Sequence, residues 1–190
     1  MKSVSISGSL RENVGKKDAK AQRANSMVPC VLYGGKQQYQ FVVEENQFRH
    51  LIYTPEVLYA NLELDGKQFN AIIQDSQFHA ITDKLLHVDF LEIVEGKPIT
   101  IGIPVKITGT SPGVLRGGKL SKKVRKLKVK GELQHIPEYI EVDITPMEIN
   151  DNIKVGDINI PNITVVENPA NIVVAVLPTR NMETAAPTEE

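Results

Sequence analysis

The sequence of 190 residues has one cysteine, no tryptophan, five tyrosines and five phenylalanines. A single cysteine, Cys30, excludes an internal disulfide and cannot form a zinc site by itself. It lies in an apolar run, so we expect it to be buried and inert. No run approaches the roughly 20 apolar residues of a membrane-spanning helix. The start, MKSVSISG, lacks the apolar core of a signal peptide, so we expect a cytoplasmic, soluble protein without a membrane partner.

A large excess of charge is also missing, because the formal net charge is only -1. This value excludes a globally basic nucleic-acid-binding protein. The charge is nevertheless uneven. Residues 116–130 contain eight basic residues and no acidic one, whereas residues 131–190 contain eleven acidic and two basic residues. Such opposite patches indicate a surface that meets a partner, but they do not identify the partner.

Short alternating segments predict a mainly β protein whose residues 1–94 form a small β-barrel. We expect about five strands closing around one short helix. The helix is predicted over residues 45–53, where apolar residues recur at spacings of three and four, with Asn46 as its cap. Asp65-Gly66 predicts a hairpin turn, since both positions tolerate positive φ. The segments that read as strands are 3–10, 28–33, 39–44, 57–64, 67–74 and 85–93.

Residues 95–179 predict a second, all-β domain. Glycine and proline residues punctuate this half in the way that is typical of loops in an antiparallel sheet. The segment 180–190 has no periodicity and little apolar content, so we expect a disordered tail. The strands predicted in this half are 99–108, 124–130, 139–144, 163–166 and 172–177.

Residues 11–27 are rich in cations and small residues, and they precede the apolar strand 28–33. This pattern predicts a flexible basic loop anchored to a strand, which suits contact with a polyanion such as an RNA backbone. A solvated surface loop is the alternative interpretation. Without RNA we expect the loop to be mobile and to become ordered on binding. Its cations are Arg11, Lys16, Lys17, Lys20 and Arg23.

Three further polar or aromatic residues are candidates for binding. His87 and Asp89 share one side of strand 85–93, opposite its apolar residues, so both should face outward. They could form a general base with its orienting group, but no nucleophile accompanies them; an exposed pair and hydrogen bonding to a ligand are the alternatives. Tyr33 could stack on a base or hydrogen-bond an RNA backbone, or simply cover the end of the barrel.

Two motifs in the second half carry weaker signals. Residues 113–119, GVLRGGK, match the GxxxxGK pattern of phosphate-binding loops, but Leu120 replaces the hydroxyl residue that binds magnesium and the next segment reads as extended. We therefore expect no nucleotide cofactor. The four histidines lack metal-ligand spacing, so we expect no metal either. The basic run 119–130 predicts a half-buried strand with lysines outside, and whether it touches RNA stays open.

Eight motifs, taken in order and spacing, resemble a bacterial family of large-subunit ribosomal proteins that bind 5S ribosomal RNA, also called the general stress protein Ctc family. The second half is similar to its longer, two-domain members, and the resemblance covers about residues 3–178. The motifs are Arg11, GKKDAKAQR at 15–23, VPCVLYGG at 28–35, QDSQFH at 74–79, LLHVDF at 85–90, IPVKITG at 103–109, GVLRGGKL at 113–120 and IPEYIEVDIT at 136–145.

The resemblance implies a structural component of the 50S subunit, with a barrel-like N-terminal domain that binds 5S rRNA and an all-β C-terminal domain. It implies no enzyme and no cofactor. The partners would be 5S rRNA and, through the C-terminal domain, neighbouring ribosomal proteins or rRNA; the free protein would be monomeric. The family often has Arg at positions 20 and 21, and lysine lacks the planar fork of arginine. By motif position the RNA-binding candidates are Arg11, Lys16, Lys20, Arg23, Tyr33, Gln77, His79, His87 and Asp89, and Lys17 joins them as a cation of the basic loop.

Two other functions stay open from the residues alone. A protein-interaction module would use the acidic C-terminal half, and it predicts capture of a protein from RNase-treated lysate. An enzyme would use His87 and Asp89, and it predicts a concave pocket around them.

Overall fold

A computed structural model of the chain describes residues 2–94 and 96–179, and it divides after Ile99 into two compact units. Both units consist mainly of β-strands, which confirms the predicted fold class. The predicted division at residues 94 and 95 lies between the last strand of the first unit and the first strand of the second. The predicted tail, 180–190, lies outside the described residues. Within the described part of the chain, no helix has the length and apolar character that a bilayer crossing requires.

The first unit is a closed barrel of six strands in the order β1-β3-β2-β6-β5-β4. Most neighbours are antiparallel, but β1 runs parallel to β4 and β2 runs parallel to β6. The predicted hairpin is confirmed, since Asp65 and Gly66 have φ values of 46° and 81°. The strands are β1 (Lys2–Leu10), β2 (Met27–Tyr33), β3 (Tyr39–Glu44), β4 (Leu58–Leu64), β5 (Lys67–Phe78) and β6 (Leu85–Glu92).

Alternate strand residues point into the barrel and form its core, in which Phe41 and Phe90 are fully buried. Cys30 is buried among them, and this burial raises the pKa of its thiol. The predicted short helix is present as a 3-10 turn, Glu45–Phe48, followed by α2, Arg49–Ile52. The prediction of Asn46 as its cap is wrong: its amide instead donates to the Glu44 carboxylate at 3.0 Å.

The prediction of a flexible loop is wrong for Lys16–Ala24, which forms the helix α1. The prediction of a loop relied on the polarity of this segment. Its residues, KKDAKAQRA, are nevertheless mostly strong helix formers. The helix packs against β2 but none of its residues is buried. An isolated helix of this length is marginal in water. Its order must therefore depend on its packing against β2, where Ala19 and Gln22 are half-buried, and on contacts made by polar side chains.

The second unit contains two sheets, with strand orders β10-β7-β9-β12 and β11-β13-β8. The expectation of antiparallel pairing alone is wrong, because β10 runs parallel to β7. The prediction also missed β11 and the short helix α3 (Pro112–Leu115), and it treated the basic run 119–130 as one strand where the structure has β8 and β9. The strands are β7 (Ile99–Thr108), β8 (Lys119–Lys122), β9 (Lys126–Gly131), β10 (Ile140–Asp143), β11 (Asn152–Lys154), β12 (Thr164–Val165) and β13 (Ile172–Leu177); the 3-10 turns are Leu133–His135 and Val155–Asp157.

The glycines of the GVLRGGK motif serve close packing of the backbone. Gly113 and Gly118 are both buried, and the Gly118 N–H donates to the Gly113 carbonyl at 2.9 Å. A Cβ on Gly113 would lie 2.7 Å from the Glu148 carbonyl carbon, and one on Gly118 would lie 2.7 Å from the Gly113 oxygen. These contacts account for the glycine spacing without a bound phosphate.

Candidate nucleic-acid interface

Four exposed cations follow the length of α1: Lys16, Lys17, Lys20 and Arg23. We call these residues the cationic helix. The helix begins after Gly15, and no side chain caps its first N–H groups. Lysines at this end oppose the helix dipole, and Lys16 and Lys20 repel each other at a spacing of four residues by about 0.2–0.5 kcal/mol. The arrangement weakens the helix and strengthens its attraction for an anion.

Arg11 differs from these cations because its side chain is only 9% exposed. Its Nη2 lies 2.5 Å from Asp18 Oδ2, and its Nε donates to the same oxygen at 3.1 Å. Its backbone N–H donates to the Gln40 carbonyl of β3 at 2.9 Å. Arg11 therefore attaches the first turn of α1 to the barrel, and its charge is already neutralised by a carboxylate. An open groove of about 300 Å³ lies beside this ion pair.

Arg23 connects the other end of α1 to β6. Its Nε donates to the Leu86 carbonyl at 3.0 Å. Together with His79 and Lys84, it lines a small groove of about 80 Å³. His79 is held in its own turn, because Nδ1 accepts the backbone N–H groups of residues 81 and 82, each at 3.3 Å. The imidazole proton then resides on Nε2, which can donate to a ligand.

His87 and Asp89 lie together on the outer side of β6. His87 Nδ1 lies 2.6 Å from Asp89 Oδ1, and their side chains are 25% and 32% exposed. Leu86 is one of the apolar residues that alternation places opposite His87 and Asp89, but it is only half-buried, and Leu85 is buried instead. The reason is a register irregularity in the β5–β6 ladder at this point.

Asp75 is a residue of this surface that the sequence reading missed. β5 continues past its predicted end at Gln74, and a register shift there turns the following residues. Asp75 pairs directly with Asp89, and Gln77 pairs with His87. Opposite residues of an antiparallel pair lie roughly 4.5–5.5 Å apart at Cβ. The sequence did contain a signal for this. If strand alternation is continued through QDSQFH, Asp75 and Gln77 are two positions apart and fall on the same side of the strand.

Tyr33 lies at the end of β2, where it pairs with Leu91 of the parallel strand β6. Burial raises the pKa of its phenol, and the negative charges of Asp89 and Asp75 raise it further. Tyr33 therefore keeps its O–H as a hydrogen-bond donor at neutral pH. We call Tyr33, Asp75, Gln77, His87 and Asp89 the polar strand face.

The cationic helix and the polar strand face offer two kinds of contact. The first supplies positive charge and the second supplies hydrogen-bond donors and acceptors. Over residues 2–94 and 96–179, no group of three or more His, Cys, Asp or Glu side chains is arranged to hold a metal ion. The fold and this surface define a two-unit β protein whose first unit carries a cationic helix beside a polar strand face.

Comparison with known families names the kind of protein more closely. The model of the ribosomal L25p family matches residues 6–90, and the model of the ribosomal protein TL5 C-terminal domain matches residues 98–180. The chain belongs to the ribosomal L25p family, which confirms the resemblance seen in the sequence. This is a family of structural ribosomal proteins, so His87 and Asp89 are not a catalytic pair.

Individual relatives cover nearly the whole chain. A protein of Cytophaga hutchinsonii is 47% identical over 165 residues, which is 87% of this chain and 86% of the relative. One of Phocaeicola vulgatus is 42% identical over 195 residues, covering 99% and 98%. One of Porphyromonas gingivalis is 39% identical over 188 residues, covering 98% of each. All three are named large ribosomal subunit protein bL25.

Proposed function

We propose that this protein is a structural component of the large ribosomal subunit and that it binds 5S rRNA through the cationic helix and the polar strand face. The observation that carries this proposal is the hydrogen bond from Arg23 to the Leu86 carbonyl. It holds the cationic helix beside His87, so that phosphate contacts and hydrogen-bonding groups can meet one RNA. RNA helices are recognised mainly through shape, phosphates and 2′-hydroxyls, which this combination suits.

The cations would act on phosphates in two ways. Lys16, Lys17 and Lys20 are exposed point charges that can neutralise phosphates along the backbone. Arg23 uses Nε for Leu86, and its two terminal nitrogens form no hydrogen bond or ion pair with the described residues, so they can bind a phosphate. Arg11 acts indirectly in this proposal: it orders α1 through Asp18.

The polar strand face would read sugar and base groups. Tyr33 and the His79 Nε2–H are donors, and Gln77 can both donate and accept. Asp89 cannot bind phosphate, so it would accept from a 2′-hydroxyl or a base amino group, while its Oδ1 lies 2.6 Å from His87 Nδ1. His87 can present its Nε2 to the RNA because its Nδ1 is engaged by Asp89.

The wider assignment follows from the same role. The protein would be ribosome-associated in the cytoplasm and monomeric when free. Residues 1–94 would form the 5S rRNA-binding domain, and residues 95–179 would contact neighbouring ribosomal proteins or rRNA.

The test is a salt-titrated gel shift of the full chain with 5S rRNA and with an unrelated duplex of equal length. If about four phosphates are neutralised, log affinity should fall with log salt at a slope of roughly -3 to -4. The triple variant Lys16→Gln, Lys17→Gln, Lys20→Gln should reduce the magnitude of that slope by about 2 and weaken binding about tenfold or more.

A matched control removes the same charge elsewhere, with Arg49→Gln, Lys67→Gln and Lys97→Gln, which are all exposed. It should retain most of the affinity. Equal losses in both triples would mean that only net charge matters. An unchanged affinity in the helix variant, with circular dichroism showing intact α1, would remove the helix from the interface.

A further inference from the structure

A second row of cations lies on the second unit, on β9. Lys126, Lys128 and Lys130 are exposed, whereas Leu127 and Val129 between them are fully buried. The three lysines therefore leave the sheet on one side, at intervals of roughly 6.5–7 Å along the strand. We call these three residues the lysine row.

The charges of the lysine row are not used inside the unit. Within the described parts of the chain, none of the three ammonium groups forms an ion pair, whereas Arg116 of the same unit pairs with Glu148 at 3.6 Å. The Glu167 carboxylate accepts the backbone N–H of Lys128 at 3.0 Å and forms no ion pair with the three ammonium groups.

The surface beside the row is also open. Gly102 of the neighbouring strand β7 lies next to Lys126, since a Cβ built on it would be 3.7 Å from the Lys126 Cβ. With no side chain at this position, nothing from Gly102 covers the lysine. On the other side, Thr164 of β12 pairs with Lys130. Gly102 and Thr164 therefore place no bulky side chain beside the two ends of the row.

We propose that the lysine row binds the phosphate backbone of RNA, as a contact surface separate from the barrel. Evenly spaced point charges match a chain of phosphates, which requires cations but no pocket. Protein interfaces instead depend on aromatic and arginine anchors and are poor in lysine. Val166, whose backbone N–H donates to the Lys128 carbonyl at 2.9 Å, is exposed but too small to serve as such an anchor, and the exposed ring of Tyr139 is engaged by Lys106 of β7.

The test uses the full chain and a fluorescent RNA duplex whose sequence is unrelated to 5S rRNA. The triple variant Lys126→Gln, Lys128→Gln, Lys130→Gln should reduce the magnitude of the log–log salt slope by about 2 and the affinity about tenfold. The exposed control triple at Arg49, Lys67 and Lys97 should change neither by more than a small part of that. The melting temperatures of the wild type, the lysine-row variant and the control variant should be the same, because every replaced side chain is exposed.

An unchanged slope in the row variant, or the same reduction in the control, would overturn the proposal. Retained duplex binding together with lost uptake into large subunits depleted of this protein would also overturn it, and would assign the row to a protein partner. The probe is unrelated to 5S rRNA. This test of the lysine row therefore remains valid even if the barrel does not recognise 5S rRNA.

Discussion

The cationic helix and the lysine row carry similar charge, but different forces hold their backbones. β9 is held by Leu127 and Val129, which are fully buried between the lysines. α1 has no fully buried residue. Side-chain hydrogen bonds from Arg11 to Asp18 and from Arg23 to the Leu86 carbonyl connect it to the barrel. The comparison shows that a basic segment can be a strand whose charges are incidental to folding, or a helix whose order depends on a few polar contacts.

The largest expected effect removes the apolar support of β9. Leu127→Ala should lower the free energy of unfolding of the second unit by about 2–5 kcal/mol, because a fully buried leucine leaves a cavity. Urea denaturation followed by circular dichroism measures this. Lys128→Ala on the same strand should stay within about 0.5 kcal/mol of wild type. Equal effects at the two positions would contradict the assignment of β9 stability to its buried residues.

The next largest effect concerns the attachment of α1. Asp18→Asn should leave the nearly buried Arg11 without its counter-charge and weaken the helix by about 1–3 kcal/mol. Amide hydrogen exchange should then become faster over residues 19–24, with barrel amides unchanged. Glu12→Gln removes an exposed acid close by and serves as the control. Unchanged exchange in α1 would show that the ion pair does not order the helix.

A smaller effect follows from helix propensity alone. Ala21 is exposed in α1, so Ala21→Gly should disfavour the helix by about 1 kcal/mol without removing any contact. If the ordered helix is the binding form, affinity for 5S rRNA should fall up to about fivefold. Ala21→Gln keeps a good helix former and should bind like wild type. Equal affinity of the wild type and both variants for 5S rRNA would mean that RNA binding orders the helix at little cost in free energy.

The smallest expected effect is a change in the pKa of Asp143 in the second unit. Its contacts are local, with a residue two positions away, whereas the contacts that hold α1 join residues farther apart in the sequence. The Thr145 hydroxyl and N–H donate to Asp143 Oδ1 at 2.5 and 2.9 Å, and they lower the pKa of that carboxyl. A lowered folded pKa stabilises the fold above the unfolded pKa, and this stabilisation is lost as pH falls through the folded value. Thr145→Val should raise the pKa of Asp143 in an NMR titration, whereas Thr110→Val should not. An unaltered titration would exclude the hydroxyl as a cause.

Most strands could be predicted because their cause is local. Short apolar or alternating segments predicted β3, β7 and β13 at their observed bounds, and Asp65-Gly66 predicted its hairpin. α1 could not be predicted from apolar periodicity, because it has no apolar stripe; its helix-forming composition was the missed signal. Asp75 was missed for another reason: the register shift at Gln74 is a property of the β5–β6 pairing.

The sequence by itself determined the mainly β fold, the burial of Cys30, the outward direction of His87 and Asp89, and the family. These follow from alternation, composition and motif order, which act over a few residues at a time. Only the tertiary structure decided that Arg11 pairs with Asp18, that Arg23 reaches Leu86 and that Asp75 faces Asp89. Each of these contacts depends on barrel closure and strand register, which bring together residues that no local pattern connects.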